Sequence, residues 1–218
     1  MMFSLAATAT PPILDSSFCA DVVQWSMVNA SLGPLPPGPY EPGHTFRLCL
    51  DTATTRFSMH GVVVHESPPH KTFEMWHIYN GTDMFALMPD ASQPGGYHCG
   101  FQTKAVDPSG DPFAYTVIDA EATPGPPASM DGYDGVQTWL HNRPRKGEFE
   151  AGNMTWFVLP DGSGGAPRLL RTSFLQYSIR KNHTADVNDG QRDFSSNHTK
   201  EIKEGLEPPA GVVCTRHP

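Results

Sequence analysis

The sequence predicts a mainly β protein, an antiparallel sandwich or barrel of about nine short strands. Three observations lead there. Twenty glycines and 22 prolines among 218 residues cut the chain into short pieces, and proline removes backbone donors that a helical bundle would need. Short runs alternate apolar and polar residues, as a half-buried strand does. Turn signals separate these runs, among them Asn80-Gly81 and Asp161-Gly162-Ser163-Gly164-Gly165, both fit for hairpin loops. The length suffices for one domain with a sizeable core, and no repeat or internal boundary is visible.

Residues 1–18 form an N-terminal segment, the remnant of a signal or an extension. No Lys or Arg precedes Arg47, and Pro11-Pro12 interrupts the apolar run, whereas a secretory signal has a basic start and a longer apolar core. Residues 19–218 are read as a single β domain. Its first strand covers residues 20–29 (ADVVQWSMVN), before a Pro/Gly loop. Residues 45–51 (TFRLCLD) set Phe46, Leu48 and Leu50 on one face, with Thr45, Arg47 and Cys49 on the other. Residues 56–65 form the next strand after a turn at Ala53-Thr54, and residues 73–88 (FEMWHIYNGTDMFALM) a hairpin about Asn80-Gly81. A strand over 97–104 precedes a Pro-, Gly- and Asp-rich stretch, 105–135, placed to cover one end or face of the sheet. Within it, residues 113–120 (FAYTVIDA) form an element of unsettled type. Strands resume over 136–141, 154–159 and 168–179, and residues 201–206 suit one helical turn before Pro208.

The formal net charge of −8 argues against nucleic acid, whose phosphates need a basic surface. No run of eighteen apolar residues exists to form a transmembrane helix. Five of the seven asparagines, Asn29, Asn80, Asn153, Asn182 and Asn197, stand in Asn-x-Ser/Thr sequons. About one in seven would do so by chance, so the set points to N-linked sugar and the secretory pathway. Four cysteines, Cys19, Cys49, Cys99 and Cys214, suit two disulfides in an oxidising compartment, with three connectivities open. The absence of CxxC spacing argues against a finger-type zinc site.

Sugar must sit in solvent, and side chains alternate across a strand. An outward Asn153 turns Met154, Trp156 and Val158 inward. By the same rule, an outward Asn80 carries Glu74, Trp76 and Ile78 outward and leaves Phe73, Met75, His77 and Tyr79 inside. The outer Trp76 then needs cover from a loop or a partner. A Met- and aromatic-rich inner face serves either as ordinary core, its commoner use, or as the lining of a lipid-sized cavity.

No catalytic constellation is visible. HExxH, a GxSxG elbow and a P-loop are absent. His65, Glu66 and His70 surround Pro68-Pro69 without a helix to align them, His98 precedes Cys99, and His183 and His198 sit inside sequons as exposed residues. His77 is the one histidine placed on an inner face, where a hydrogen-bonded core role is commoner than a ligand role. Asp107, Asp111, Asp131 and Asp134 offer oxygen ligands that leave calcium open, but their spacing is not that of an EF-hand, and solvated loop carboxylates are the plainer reading.

The pieces also have a characteristic order. Leu50-Asp51 and Arg56-Phe57 flank a turn. Phe73-Glu74-Met75 and Tyr79 make an aromatic strand, followed by Gly81, the strand about residues 84–87, and Cys99. Phe194, residues 202–206, Pro208-Pro209 and Cys214 close the chain. This order, from about Cys19 to Cys214, resembles the ependymin-related proteins, secreted relatives in fold of the LolA/LolB lipoprotein carriers. The resemblance implies a strongly bent antiparallel sheet forming a half-open β-barrel, with one or two short helices. It also implies an apolar cavity for a lipid or other hydrophobic ligand, lined here by the two inward sets, and no other cofactor. It pairs Cys99 with Cys214, which leaves Cys19 with Cys49. A family cysteine of the late hairpin has no match, since Ala166-Pro167 stands there, so the partner of Cys19 stays open. The expected function is that of a secreted, glycosylated lipid binder and not an enzyme. The alternatives are a structural or adhesive component of an extracellular assembly, docking other extracellular proteins, and, further off, an extracellular hydrolase.

Overall fold

The computed structural model describes residues 10–29, 44–64, 72–105, 113–130, 132–143, 149–179, 185–200, 202 and 205–216. Its strands are β1 (Ser17–Asn29), β2 (His44–Asp51), β3 (Arg56–Val64), β4 (Thr72–Tyr79), β5 (Asp83–Pro89), β6 (Tyr97–Thr103), β7 (Thr123–Pro124), β8 (Ala128–Met130), β9 (Tyr133–Arg143), β10 (Phe149–Leu159), β11 (Arg168–Ile179), β12 (Ala185–Thr199) and β13 (Cys214–Arg216). A 3-10 turn covers Pro94–Gly96, and a short helix, α1 (Phe113–Thr116), forms the first half of the element expected over 113–120. The mainly β class is what the structure shows, as one large sheet not closed into a barrel. The strand order is β13-β6-β5-β4-β3-β2-β1-β12-β11-β10-β9-β7, with β8 also paired to β9. β1 to β6 pair antiparallel in succession, as do β9, β10 and β11, and β13 joins β6 in parallel.

Turn chemistry fixes the hairpins. Between β2 and β3, the Asp51 carboxylate accepts hydrogen bonds from the Thr54 hydroxyl (2.6 Å), the Ala53 and Thr54 N–H groups (3.1 and 3.3 Å) and the Ser17 hydroxyl (3.2 Å). Burial alone would raise its pKa, but these bonds, those of Thr54 foremost, outweigh burial and hold the carboxyl below its usual range. Between β4 and β5, the Asn80 carboxamide oxygen accepts from the N–H groups of Thr82 (3.1 Å) and Asp83 (2.9 Å), and Gly81 takes φ +97°, which glycine adopts freely. Gly61 of β3 faces a different demand. A Cβ there would meet the Thr45 carbonyl oxygen and come within 2.5 Å of the Phe46 Cα, so only glycine fits at this close approach of β3 to β2.

The chain divides into two compact units. The first holds residues 15–26, 36–115 and 191–218. Its buried residues include Phe18 and Val22 of β1, Leu48 and Leu50 of β2, Phe57 of β3 and Phe194 of β12. Phe113 of α1 packs edge-on against Phe57 at 5.7 Å, so the Pro-rich excursion does cover part of the sheet. The second unit holds residues 1–14, 27–35 and 116–190, with β9, β10 and β11 paired through long registers.

Some elements differ from expectation. β1 begins at Ser17, inside the segment set apart as residues 1–18. β12 runs fifteen residues where the sequence marked only Phe194, and β7, β8 and β13 are additional. Of the helical turn expected over 201–206, residues 201, 203 and 204 lie outside the described residues, and Ile202, Gly205 and Leu206 are not helical. Among the described residues, no helix is long and apolar enough to cross a membrane.

Candidate functional site

In the first unit, β3 and β4 place Phe57 opposite Tyr79, Met59 opposite His77, Gly61 opposite Met75 and Val63 opposite Phe73. Opposed residues of an antiparallel pair share a face. Burial falls along this face. Phe57 and Tyr79 are buried, Met59, His77 and Met75 are half-buried, and Phe73 is 39 % exposed. The expected inner set thus lies on an apolar face closed beside Phe113 and open toward Phe73.

The other face of the same hairpin corrects the expectation that Ile78 points to solvent. Ile78, Leu87 and Cys99 form a buried cluster, with Trp76, Phe85, Tyr97, Val212 and Cys214 packed on it. The C-terminal segment returns over this face and supplies the cover that Trp76 needs. Trp76 stacks on His60 (4.6 Å) and donates its indole N–H to the Ser58 hydroxyl at 2.7 Å.

Burial holds the His77 imidazole below the usual histidine range. The unfolded chain therefore takes up this proton before the folded one does. The contribution is fully present above the ordinary value of about 6.5 and is lost as pH falls through the folded value. Denaturant melts should show stability declining as pH drops below about 6.5. His77→Phe should remove that part of the decline; an unchanged profile in the variant would assign the decline elsewhere.

In the second unit, the register sets Trp139, Trp156 and Thr172 in one row across β9, β10 and β11, with His141, Met154 and Phe174 in the next. All six are buried, and Val158 beside them is too. The inward Met154, Trp156 and Val158 of the sequence reading lie here. Trp139 Nε1, Trp156 Nε1 and Thr172 Oγ1 are buried without a hydrogen-bond partner among the described residues. Buried donors are rarely left so, and sequence reading gave no sign of them.

A pocket of about 510 Å³ also lies in this unit. Its wall includes His141 and Met154, together with Glu121, Thr123, Leu140, Asn142, Asn153 and Thr155. His141 is held between two carboxylates: Asp119 Oδ2 lies 3.0 Å from Nδ1, out of line for a hydrogen bond, and Glu121 Oε2 lies 3.5 Å from Nε2. Such a group can relay protons or hold a polar ligand, but the described lining brings no Ser or Cys nucleophile to it. Sequence reading missed this group, because β9 buries Thr138 and Trp139 in succession and its alternation is broken.

The sequons fall in different settings. Asn153 is exposed on the pocket wall. Asn80 is half-buried, and its turn uses the carboxamide oxygen, the nitrogen being the atom that takes sugar. Asn197 adopts φ +47° and donates its carboxamide N–H to Asp21, while Arg47 bonds its carbonyl (2.8 Å) and pairs with Asp21 at 3.0 Å. Asn29 ends β1, with its side chain outside the described residues, and Asn182 lies outside them altogether. His198, expected exposed, is half-buried and stacks on Phe18 at 5.2 Å. Of the loop aspartates, Asp107, Asp111 and Asp131 lie outside the described residues, as do His65, Glu66, His70 and His183. Among the described residues, no group of three His, Cys, Asp or Glu is placed to hold a metal ion. Cys19 pairs with Cys49 and Cys99 with Cys214, which closes the question of Cys19; disulfides fit an oxidising compartment. No protein-family model matches the chain, and no curated protein matches it.

Proposed function

We propose that the protein is a secreted, N-glycosylated, non-enzymatic binder of a lipid or other hydrophobic molecule that carries an oxygen acceptor. The row Trp139, Trp156 and Thr172 carries this reading. It offers two indole N–H groups and a hydroxyl, buried and without partners among the described residues, beside the apolar Met154, Val158 and Phe174. Each unpaired buried donor costs about 1–3 kcal/mol, a cost that an amphiphile's carbonyl or carboxylate would remove while its chain meets the apolar neighbours. The half-buried Met59, Met75 and His77 and the exposed Phe73 lend a second apolar face. The two disulfides, the five sequons and the resemblance to ependymin-related proteins support an extracellular setting.

Native mass spectrometry of the deglycosylated protein from its natural source tests this. A mass of a few hundred daltons above the chain, lost on denaturation and extractable into solvent, is the expected result on the scale of a single lipid. Thr172→Val should weaken retention of that molecule about three- to tenfold without lowering stability, since its hydroxyl has no partner among the described residues to lose. A bare chain, or one seen only with partner chains, turns the assignment to a structural component.

A further inference from the structure

We propose that the pocket beside His141 is the seat of the protein's own sugar, the first residue of an N-glycan on Asn153. The inference rests on the reading that Asn153 is glycosylated. Asn153 is itself part of the pocket wall, so a sugar on its carboxamide nitrogen starts at the mouth. The floor beneath is built across three strands. Thr123 of β7 pairs with Leu140 of β9, which pairs with Thr155 of β10, and Asn142 pairs with Asn153 in the adjoining row. Leu140 is 37 % exposed, an apolar side chain flanked by two threonines. A pyranose ring has one apolar face of C–H groups and an edge of hydroxyls. The apolar face fits on Leu140, and the N-acetyl N–H and hydroxyls reach the Asn142 carboxamide and the Glu121 carboxylate, whose side chain is 81 % exposed. Covalent linkage gives the sugar a high effective concentration at this floor, so weak contacts suffice to hold it.

The test uses the full chain from a eukaryotic secretory host. Amidase release of N-glycans is followed by site-resolved mass spectrometry, native against denatured, with Asn80 as the reference site. A sugar docked about nine-tenths of the time is released about tenfold more slowly in the native protein, because the amidase acts on the undocked fraction. Asn153 should show this protection and Asn80 should not. Leu140→Ala with Glu121→Ala should abolish it while leaving release at Asn80 unchanged, and a thermal melt like that of the native chain reports that the fold is intact. Equal native rates at the two sites, or protection that the double variant does not alter, overturns the docking alone. An Asn153 peptide without sugar overturns it through the glycosylation reading.

Discussion

Replacing Cys99 and Cys214 together by serine should destabilise the folded chain by about 4–5 kcal/mol, the chain-entropy cost of releasing a closure of this length. The two residues are 115 apart in sequence, and the other described fastenings of the C-terminal end are modest, among them the Arg56–Glu207 pair at 3.4 Å and the Thr215 hydroxyl donating to the Cys99 carbonyl at 3.4 Å. β13 contributes three paired positions, Cys214 to Cys99, Thr215 to Gly100 and Arg216 to Phe101. The same segment brings Val212 onto the cluster of Ile78, Leu87 and Cys99. Without the bridge the segment should detach, and the Trp76 face should meet water. The Cys19–Cys49 bridge makes a useful contrast. It spans 30 residues and joins strands already paired from Ser17–Asp51 to Gln24–His44, so its loss should cost about 3–4 kcal/mol. Urea melts of the two double variants measure the difference. Hydrogen exchange should quicken at β6 in the first variant and at β1 and β2 in the second. A larger loss from the Cys19–Cys49 pair would show that local pairing matters more here than closure length.

The elements legible in the sequence are those whose information is local. β2, β3, β4 and β5 follow from alternation and from the turns at Asp51 and Asn80, where a side-chain oxygen satisfies nearby N–H groups. β12 was hidden because its stretch, ADVNDGQRDFSSNHT, has almost no apolar alternation. Polar pairings between distant segments join it to its surroundings instead: Arg192 to Gln24 at 2.8 Å, and Asn197 with Asp21 and Arg47. Phe194, the one strong signal in it, meets Phe18 edge-on at 6.4 Å. The phase of the β4 hairpin was misjudged at Ile78 for a related reason. A glycan on Asn80 implies one wet face, but the return of Val212 and Cys214, more than 120 residues later in the chain, dries it. In the second unit the inward trio Met154, Trp156 and Val158 was readable from period two alone. Their neighbours Trp139 and Thr172, and the carboxylates about His141, come from other strands and loops and needed the register.

Trp156→Ala should cost about 3–5 kcal/mol, the usual range for a fully buried tryptophan. Trp156 is 0 % exposed, at the centre of β10 between Trp139 and Thr172, so truncation leaves a cavity on both sides. Loss of the indole N–H offsets part of this cost, because the group is buried without a hydrogen-bond partner among the described residues. Trp156→Phe removes the pyrrole part of the ring as well as its N–H, a smaller large-to-small change, and should cost less than the alanine variant, about 1–3 kcal/mol. Calorimetry of the two variants separates ring from donor. If the ring matters for the fold and the donor for the ligand, the alanine variant loses the most stability, while the phenylalanine variant keeps more of it and loses hold of the bound molecule. Should the phenylalanine variant retain that molecule as well as the native chain does, the indole N–H plays no part in binding, and Trp156 is core alone.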